Sequence, residues 1–446
     1  MSQIKKAFFL LITWSFALLI NAQPQLPPIG NFTPRDYGDG QVPENYAICK
    51  DDRGFIYSAN IGGLLQYDGH EWKLIEVESG VKINALSYSG KNQIACGGLN
   101  LMGIVEPDKN GVLKYTSLVS LLPDSLKNFE IITIQSEGNK IFFQSQFVLF
   151  VYENKKIKPI FPEVSFFRTY ACDNRIFVRD RQIGLMEWKK GKFELFASDT
   201  ISKNWGYFGM VSYDENHFLL AQHQLGFYLM HKQTGAIEPF TSFFVEDFSP
   251  KIYDLKKLEH DLYAIATMNH GVIILDKHIE LKARISRNDG LRSSLVNQLT
   301  IDNAGNIWAA TSAGISFIDI HSPLHFYGEI SGLPGNVEAI QKIGSHFYAG
   351  SSDGLFILPE SFSDDHTPWR KVTGINALVN SLDVNERDIL VASNNGFYTG
   401  TLQTFNRVNQ GDYHTVKFIP GLNQIIALTP DKLEIYSNEY KLLNEI

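Results

Sequence analysis

NDGLRSSLVNQLTIDNAGNIWAATSAGISFID, residues 288–319, decides how the whole chain is read. It holds short apolar runs separated by turn residues, and glycine punctuates it at 290, 305 and 314. Relative to Gly314, Trp308 lies six residues before, Gly305 nine before and Asp319 five after. Gly63 repeats these offsets with Tyr57, Gly54 and Asp68. Gly354 has Tyr348 six before it, and Gly271 has Ile265 there and Asp276 five after. Gly184, Gly226 and Gly396 have Val178, Leu220 and Leu390 at the same offset.

With Gly103 these anchors recur every 40–45 residues, apart from one interval of 81 that spans two periods. The missing member is NKIFFQSQFVLFVYE, residues 139–153, where the apolar pattern survives without the glycine. A last copy, NQIIALTPDKLEIYS (423–437), has Lys432 in its place, which makes ten copies. No copy carries a ten-residue amphipathic helical pattern, so helical repeats are excluded. A period near forty built from short strands predicts an all-β chain, a β-propeller of four-stranded blades. In the opening copy the strands are expected at Val296–Ile301, Asn306–Ala310, Gly314–Ile318 and near His325–Glu329, with an Asp302–Gly305 turn. Trp308, Tyr57 and Tyr348 recur at a fixed blade offset and are read as core between blades.

Aromatics make up 13% of the 446 residues, which favours pleated surfaces. The net charge of −8 gives no basic footprint for nucleic acid. Residues 1–22 read as a signal peptide: Lys5 and Lys6 precede the apolar run Ala7–Ile20, and cleavage is expected at Ala22-Gln23. The mature chain is therefore expected to be exported to the periplasm. Cys49, Cys96 and Cys172 are odd in number and widely spaced, which supports neither a disulfide framework nor a CxxC metal site.

Residues Gly290-Leu291, Ser294, Val296, Asp302, Gly305, Ile307-Trp308, Thr311 and Gly314-Ile315 resemble the two-component regulator propeller repeat, as does Gly332-Leu333-Pro334-Gly335-Asn336-Val337. The stretch IGNFTPRDYGDGQVPENYAICKDDRGFIYSANIGGLLQYDGHEW (29–72) resembles the start of the periplasmic sensor half of such regulators from Bacteroidetes-type bacteria. The resemblance spans nearly all of the mature chain and is most specific in 45–72, 296–319 and 337–357. It implies a ligand-sensing periplasmic region. In the family that region comprises two propellers of about seven blades, followed by a β-sandwich, a transmembrane helix and a cytoplasmic output domain.

On this pattern residues 23–334 are expected to form a first propeller of seven blades, and 335–446 three blades of a second, incomplete one. A single larger ring or open arc is the rival arrangement. The chain stops at Ile446 without a sandwich or second apolar segment, so it is expected to be a fragment or a truncated product. Membrane contact would come only through missing C-terminal segments. A homodimer is compatible with this plan.

Catalytic signatures are absent: there is no H-E-x-x-H, G-x-S-x-G or P-loop, and no cofactor is implied. Asp302-x-x-Gly305 has one residue too many for the sialidase Asp box. The turn aspartates are read as local backbone acceptors, and Asp364-Asp365 as a solvated loop. Binding is the better prospect. Three successive loops between second and third strands carry Arg179, Arg181 and Gln182; Gln222 and His223; and Asn269 and His270. The first two of these copies are joined by a connection that holds Trp205 and Tyr207. Aromatics stack on the apolar faces of sugars, and arginine pairs carboxylate or sulfate. His223 and His270 lack a carboxylate partner, so no metal is expected. The leading expectation is a non-enzymatic sensor for a small molecule or oligosaccharide. The alternatives are an envelope interaction scaffold and a propeller enzyme such as a polysaccharide lyase.

Overall fold

The computed structural model describes residues 27–38, 41–78, 80–198, 206–223, 226–240, 251–324, 326–327, 332–359, 369–402 and 404–446. The signal peptide, Trp205 and Asp364-Asp365 lie outside them. The described residues form ten four-stranded antiparallel sheets, nine of them meanders, and the fold is a β-propeller. The chain divides into two compact units, one spanning Pro27–Leu324 and the other containing His325–Ile446.

Seven sheets belong to the first unit. Their innermost strands are Ile48–Lys50, Ile83–Tyr88, Thr133–Glu137, Phe166–Cys172, Tyr207–Ser212, Ile252–Lys257 and Val296–Ile301. Each innermost strand touches the next in order, and the seventh touches the first. The second and third strands of the seventh sheet, Ile307–Thr311 and Gly314–Ile318, match the repeat reading to within a residue. The fourth does not. His325 and Gly328–Glu329 lie outside the described residues, and the outer place is taken by Ile29–Phe32. Its register is Ile29↔Ile318 to Phe32↔Ile315. The chain start thus completes the sheet that the chain reaches almost 300 residues later.

The same correction moves the unit boundary from residue 334 to Leu324. Leu333 packs with Ala349, Phe356, Leu358 and Trp369, and Tyr327 meets Trp369 edge-on at 5.8 Å. The Gly332–Val337 segment therefore belongs to the second unit. That unit holds three sheets with innermost strands Val337–Ile343, Val379–Val384 and Thr415–Ile419.

The repeat offsets have a direct physical cause. Asp302 Oδ1 accepts the amides of Ala304 and Asn306, both at 2.9 Å, and so closes the turn. Its other oxygen accepts Trp308 Nε1 at 3.2 Å. Asp51 does the same: Oδ1 takes the amides of Arg53 and Phe55, and Oδ2 takes the Tyr57 hydroxyl at 3.2 Å. One carboxylate therefore fixes both the turn and an aromatic ring six residues on. The rings then fill gaps between sheets. Trp308 packs with Ile48, Ile56 and Leu65 of the first sheet, Tyr57 with Ile83 and Cys96 of the second, and Tyr348 with Val379 and Val391 of the neighbouring sheet.

Neighbouring innermost strands do not pair with each other, so their facing amides need acceptors. Side chains supply them. Asp254 Oδ2 accepts the Leu299 amide at 3.0 Å, and Gln298 Oε1 accepts that of Ile48 at 2.9 Å. Asp383 Oδ2 accepts the Phe418 amide at 2.8 Å in the second unit. Between the fourth and fifth sheets Arg175 serves as a polar tie. Its guanidinium forks onto Glu187 of the fourth sheet at 2.7 Å, donates to the Lys232 carbonyl beside the fifth at 2.9 Å and lies 5.5 Å from the Phe218 ring centre there. Burial alone would raise the Glu187 carboxyl, but hydrogen bonds from Arg175 and Lys189 hold it below its ordinary value.

At the closure, Phe32 lies parallel to Trp308 with ring centres 5.6 Å apart, and meets Trp72 edge-on at 5.4 Å. Replacing Phe32 by Ala is expected to destabilise the first unit by about 2–3 kcal/mol, less than a fully buried ring because Phe32 is half-buried. Urea unfolding followed by tryptophan fluorescence measures this. An unchanged midpoint would show that the closure adds no stability.

Candidate functional site

In a four-stranded meander, the start of the innermost strand and the turn between the second and third strands share one end. Backbone bonds confirm this for the first unit: the Asn45 amide donates to the Thr311 carbonyl and the Arg181 amide to the Ser165 carbonyl, each at 3.0 Å. This is the loop face.

Several of the expected residues do not reach it. Arg179 lies within the strand Arg175–Asp180, is buried, and donates to the Asp180 carbonyl. Tyr207 is fully buried among Tyr170, Phe177 and Tyr228, and its carbonyl accepts the Tyr170 hydroxyl at 2.6 Å. Gln222 is fully buried at the end of its strand. The reason is common to all three: each still lies within a strand, Tyr207 first, Gln222 last and Arg179 next to last, and is covered by the neighbouring sheets. Trp205 lies outside the described residues. Arg181, Gln182 and Asn269 are exposed, and His223 and His270 are half-buried.

The open surface is made by residues that the loop reading missed. The pairing register slips at the start of the innermost strand in the second, fourth, fifth, sixth and seventh sheets. A bulge leaves a residue unpaired and re-aims its side chain. The residues so released are Asn84, Phe167 with Arg168, Phe208, Tyr253 and Asn297. Three successive sheets thus present Phe167, Phe208 and Tyr253. Phe167 meets Phe208 edge-on at 5.3 Å, and Phe208 lies near-parallel to Tyr253 at 6.1 Å. Their common signal in the sequence is an aromatic one to two residues into the first strand of three consecutive copies, in SFFRTY, GYFGMV and KIYDLK.

His223 joins this group. Its ring is 4.8 Å from Phe208 and near-parallel to Tyr253 at 5.9 Å. Nδ1 lies 3.0 Å from the Ile252 carbonyl, so it carries a proton and leaves Nε2 as the nitrogen turned to a ligand. Two guanidinium groups flank the rings. Arg168 lies 5.6 Å from the Phe208 centre and donates to the Tyr253 carbonyl at 3.4 Å; Arg181 lies 5.3 Å from the Phe167 centre. Gly206 makes the ring placement feasible, because a Cβ there would fall 2.0 Å from the Phe167 ring. The arrangement is a half-exposed aromatic platform edged by cations and one imidazole. Among the described residues no group of three His, Cys, Asp or Glu is placed to hold a metal ion.

No family model and no curated protein matches the chain. Solved structures do. The extracellular domain of the one-component system BT4673 from B. thetaiotaomicron aligns at 16% identity and a TM-score of 0.53, over 94% of this chain and 59% of that one. That of the hybrid two-component system BT3049 from the same organism aligns at 14% and 0.60, over 95% and 67%. Virginiamycin B lyase from Staphylococcus aureus aligns at 14% and 0.52, over 66% of this chain and 98% of its own. The likeness establishes the propeller fold. The chain spans about three fifths of the length of the BT4673 domain. No helix among the described residues is long and apolar enough to cross a membrane.

Burial, with a smaller contribution from Arg284, lowers the pKa of His270 below its ordinary value. Protonation therefore opposes the folded state. The contribution of a neutral His270 is in place above the unfolded-state pKa and is lost as pH falls from there through the lower folded-state pKa. In an NMR titration His270 should titrate at lower pH than an exposed histidine. Arg284→Ala should raise its midpoint only in part, because burial is the larger cause. A midpoint at or above that of an exposed histidine would refute this.

Proposed function

We propose that this chain is the ligand-sensing periplasmic region of a signal-transduction regulator, and that it senses a saccharide bearing a negative charge. The observation that carries this reading is the platform of Phe167, Phe208, His223 and Tyr253 edged by Arg168 and Arg181. Flat rings accept the apolar face of a sugar, and guanidinium groups pair with carboxylate or sulfate. In this reading Arg181, Gln182, Asn269 and His270 meet the ligand from the adjoining loops, whereas Arg179, Tyr207 and Gln222 are buried and do not touch it.

Export through the N-terminal signal and the likeness to extracellular domains of regulators support placing the chain in the envelope. The protein acts by binding and not by turnover. Ligand binding would favour one arrangement of the sensor over another, and only a difference in affinity between the two can drive the signal. Residues 27–324 are a complete seven-bladed propeller in this reading, and the three sheets of the second unit follow the same blade plan.

Thermal shift and calorimetry with digalacturonate and its neutral counterpart α-1,4-galactobiose test the assignment. Digalacturonate should raise the melting temperature. Tyr253→Ala and Phe208→Ala should each weaken it by about tenfold or more, the scale of one stacked ring. Arg168→Met should remove the preference for the acid while leaving the chain folded. Equal responses to the acidic and neutral sugars, or binding untouched by Tyr253→Ala, would remove the proposal.

A further inference from the structure

The first and second sheets leave a cleft of about 1090 Å³ between their outer strands. Its origin lies in one pair of residues. At the outer corner of each sheet, a residue of the third strand faces one of the fourth. That pair is Tyr67–Trp72 in the first sheet, Tyr152–Ile157 in the third, Trp188–Phe193 in the fourth and Met230–Ile237 in the fifth. It is Leu275–Leu281 in the sixth and Ile318–Ile29 in the seventh. The pairs fill the gap to the preceding sheet: Tyr67 and Trp72 pack on Trp308, and Trp188 and Phe193 on Phe142. In the second sheet the pair is Pro107–Leu113, the smallest of the seven, and both residues line the cleft.

The chemistry of the walls is specific. Phe55, Tyr115, Leu74 and Val112 line the cleft, and Leu74 and Val112 are 37% and 56% exposed. At its floor Arg53 lies over the Phe55 ring at 4.5 Å. Nε and Nη2 of Arg53 bind the buried Asp51 at 2.9 and 2.6 Å, and Nη2 also reaches the Tyr57 hydroxyl at 3.2 Å. These bonds fix the guanidinium plane, and Nη1 has no partner among the described residues. Lys73 and Lys114 also line the cleft; they pair with Glu71 and Asp108 on the exposed rim, and such surface pairs are weak and exchangeable. Glu76 is the one carboxylate in the lining. Each of the three cations thus already has a carboxylate partner, and the donor left open at the cleft is Nη1 of Arg53.

We infer that this cleft is a second binding site, separate from the loop face, for an organic anion with an apolar or aromatic body. The body lies between Phe55, Tyr115 and Val112, and its carboxylate meets Nη1 of Arg53. An aromatic pair at the Pro107–Leu113 corner would close the gap as it does in the first and fourth sheets.

Calorimetry on the full chain with 3-phenylpropanoate and its amide, 3-phenylpropanamide, tests the inference. The acid should bind saturably, and the amide about tenfold more weakly, the scale of one charge-assisted hydrogen bond. Leu113→Trp should abolish binding while the unfolding midpoint is kept or raised. Arg53→Lys, which keeps the charge but loses the planar fork, should weaken binding of the acid only. Tyr253→Ala should leave the titration unchanged, which separates failure here from failure of the loop-face proposal. Equal binding of acid and amide, wild-type binding by Leu113→Trp, or no saturable binding of either probe would overturn the inference.

Discussion

A four-stranded sheet that is apolar on both faces has no stable existence alone, because each face must be covered by another sheet. The core of the first unit is accordingly not one cluster but a series of gaps, each filled from two neighbouring sheets. Such a series ends in bare faces unless its last member meets its first. Pairing of Ile29–Phe32 with Gly314–Ile318 makes that meeting obligatory, since no other described strand completes the seventh sheet. Asn31 reinforces it by accepting the Ser316 hydroxyl at 2.7 Å and donating to the Gly290 carbonyl at 2.9 Å. The entropic cost of joining chain ends this distant grows only logarithmically with separation. The gain is two covered faces and one ladder edge, which grows with area.

The blade rhythm was legible because it is enforced locally. Asp302 and Asp51 each bind their own turn and an aromatic ring within the same ten residues, so the spacing of Asp, Gly and aromatic is a chemical requirement visible in one copy. The closing strand was not legible for the opposite reason. Ile29–Phe32 is four residues long and pairs only with a segment almost 300 residues away. A local reading therefore sought the fourth strand just after Ile318. The shifted unit boundary is the same misreading seen from the other side, since the residues assigned to that strand adjoin those that cover Trp369.

The loop face shows a different limit. Polar residues around a turn were legible as a set, and Arg181, Gln182, His223, Asn269 and His270 do lie at that face. Arg179, Tyr207 and Gln222 lie within the strands, which are covered on both faces, so a step of one or two residues from loop into ladder is a step into burial. The aromatic platform depends on bulges, which insert a residue without leaving a composition signal. Phe208 next to Tyr207 illustrates the point. Two adjacent aromatics are chemically alike, yet one fills the gap between sheets and the other faces the open surface.

The two candidate sites differ in what a ligand would do to the ring. Phe167, Phe208 and Tyr253 come from three sheets whose inner strands are in contact, and Arg168 of the fourth sheet already reaches the Tyr253 carbonyl of the sixth. A ligand laid across them adds to connections that exist and tightens the inner rim. The cleft at Pro107–Leu113 lies instead at the outer corner, between the outer strands of the first and second sheets, which touch beside it. A body wedged there would touch both outer strands and so bear on the mutual angle of the two sheets. Inner-rim binding selects among arrangements already rigid within the ring, whereas corner binding changes the stiffness of one joint. The two effects are additive only if the first two sheets do not move when the platform is occupied, because coupling between sites requires an element that both ligands bias.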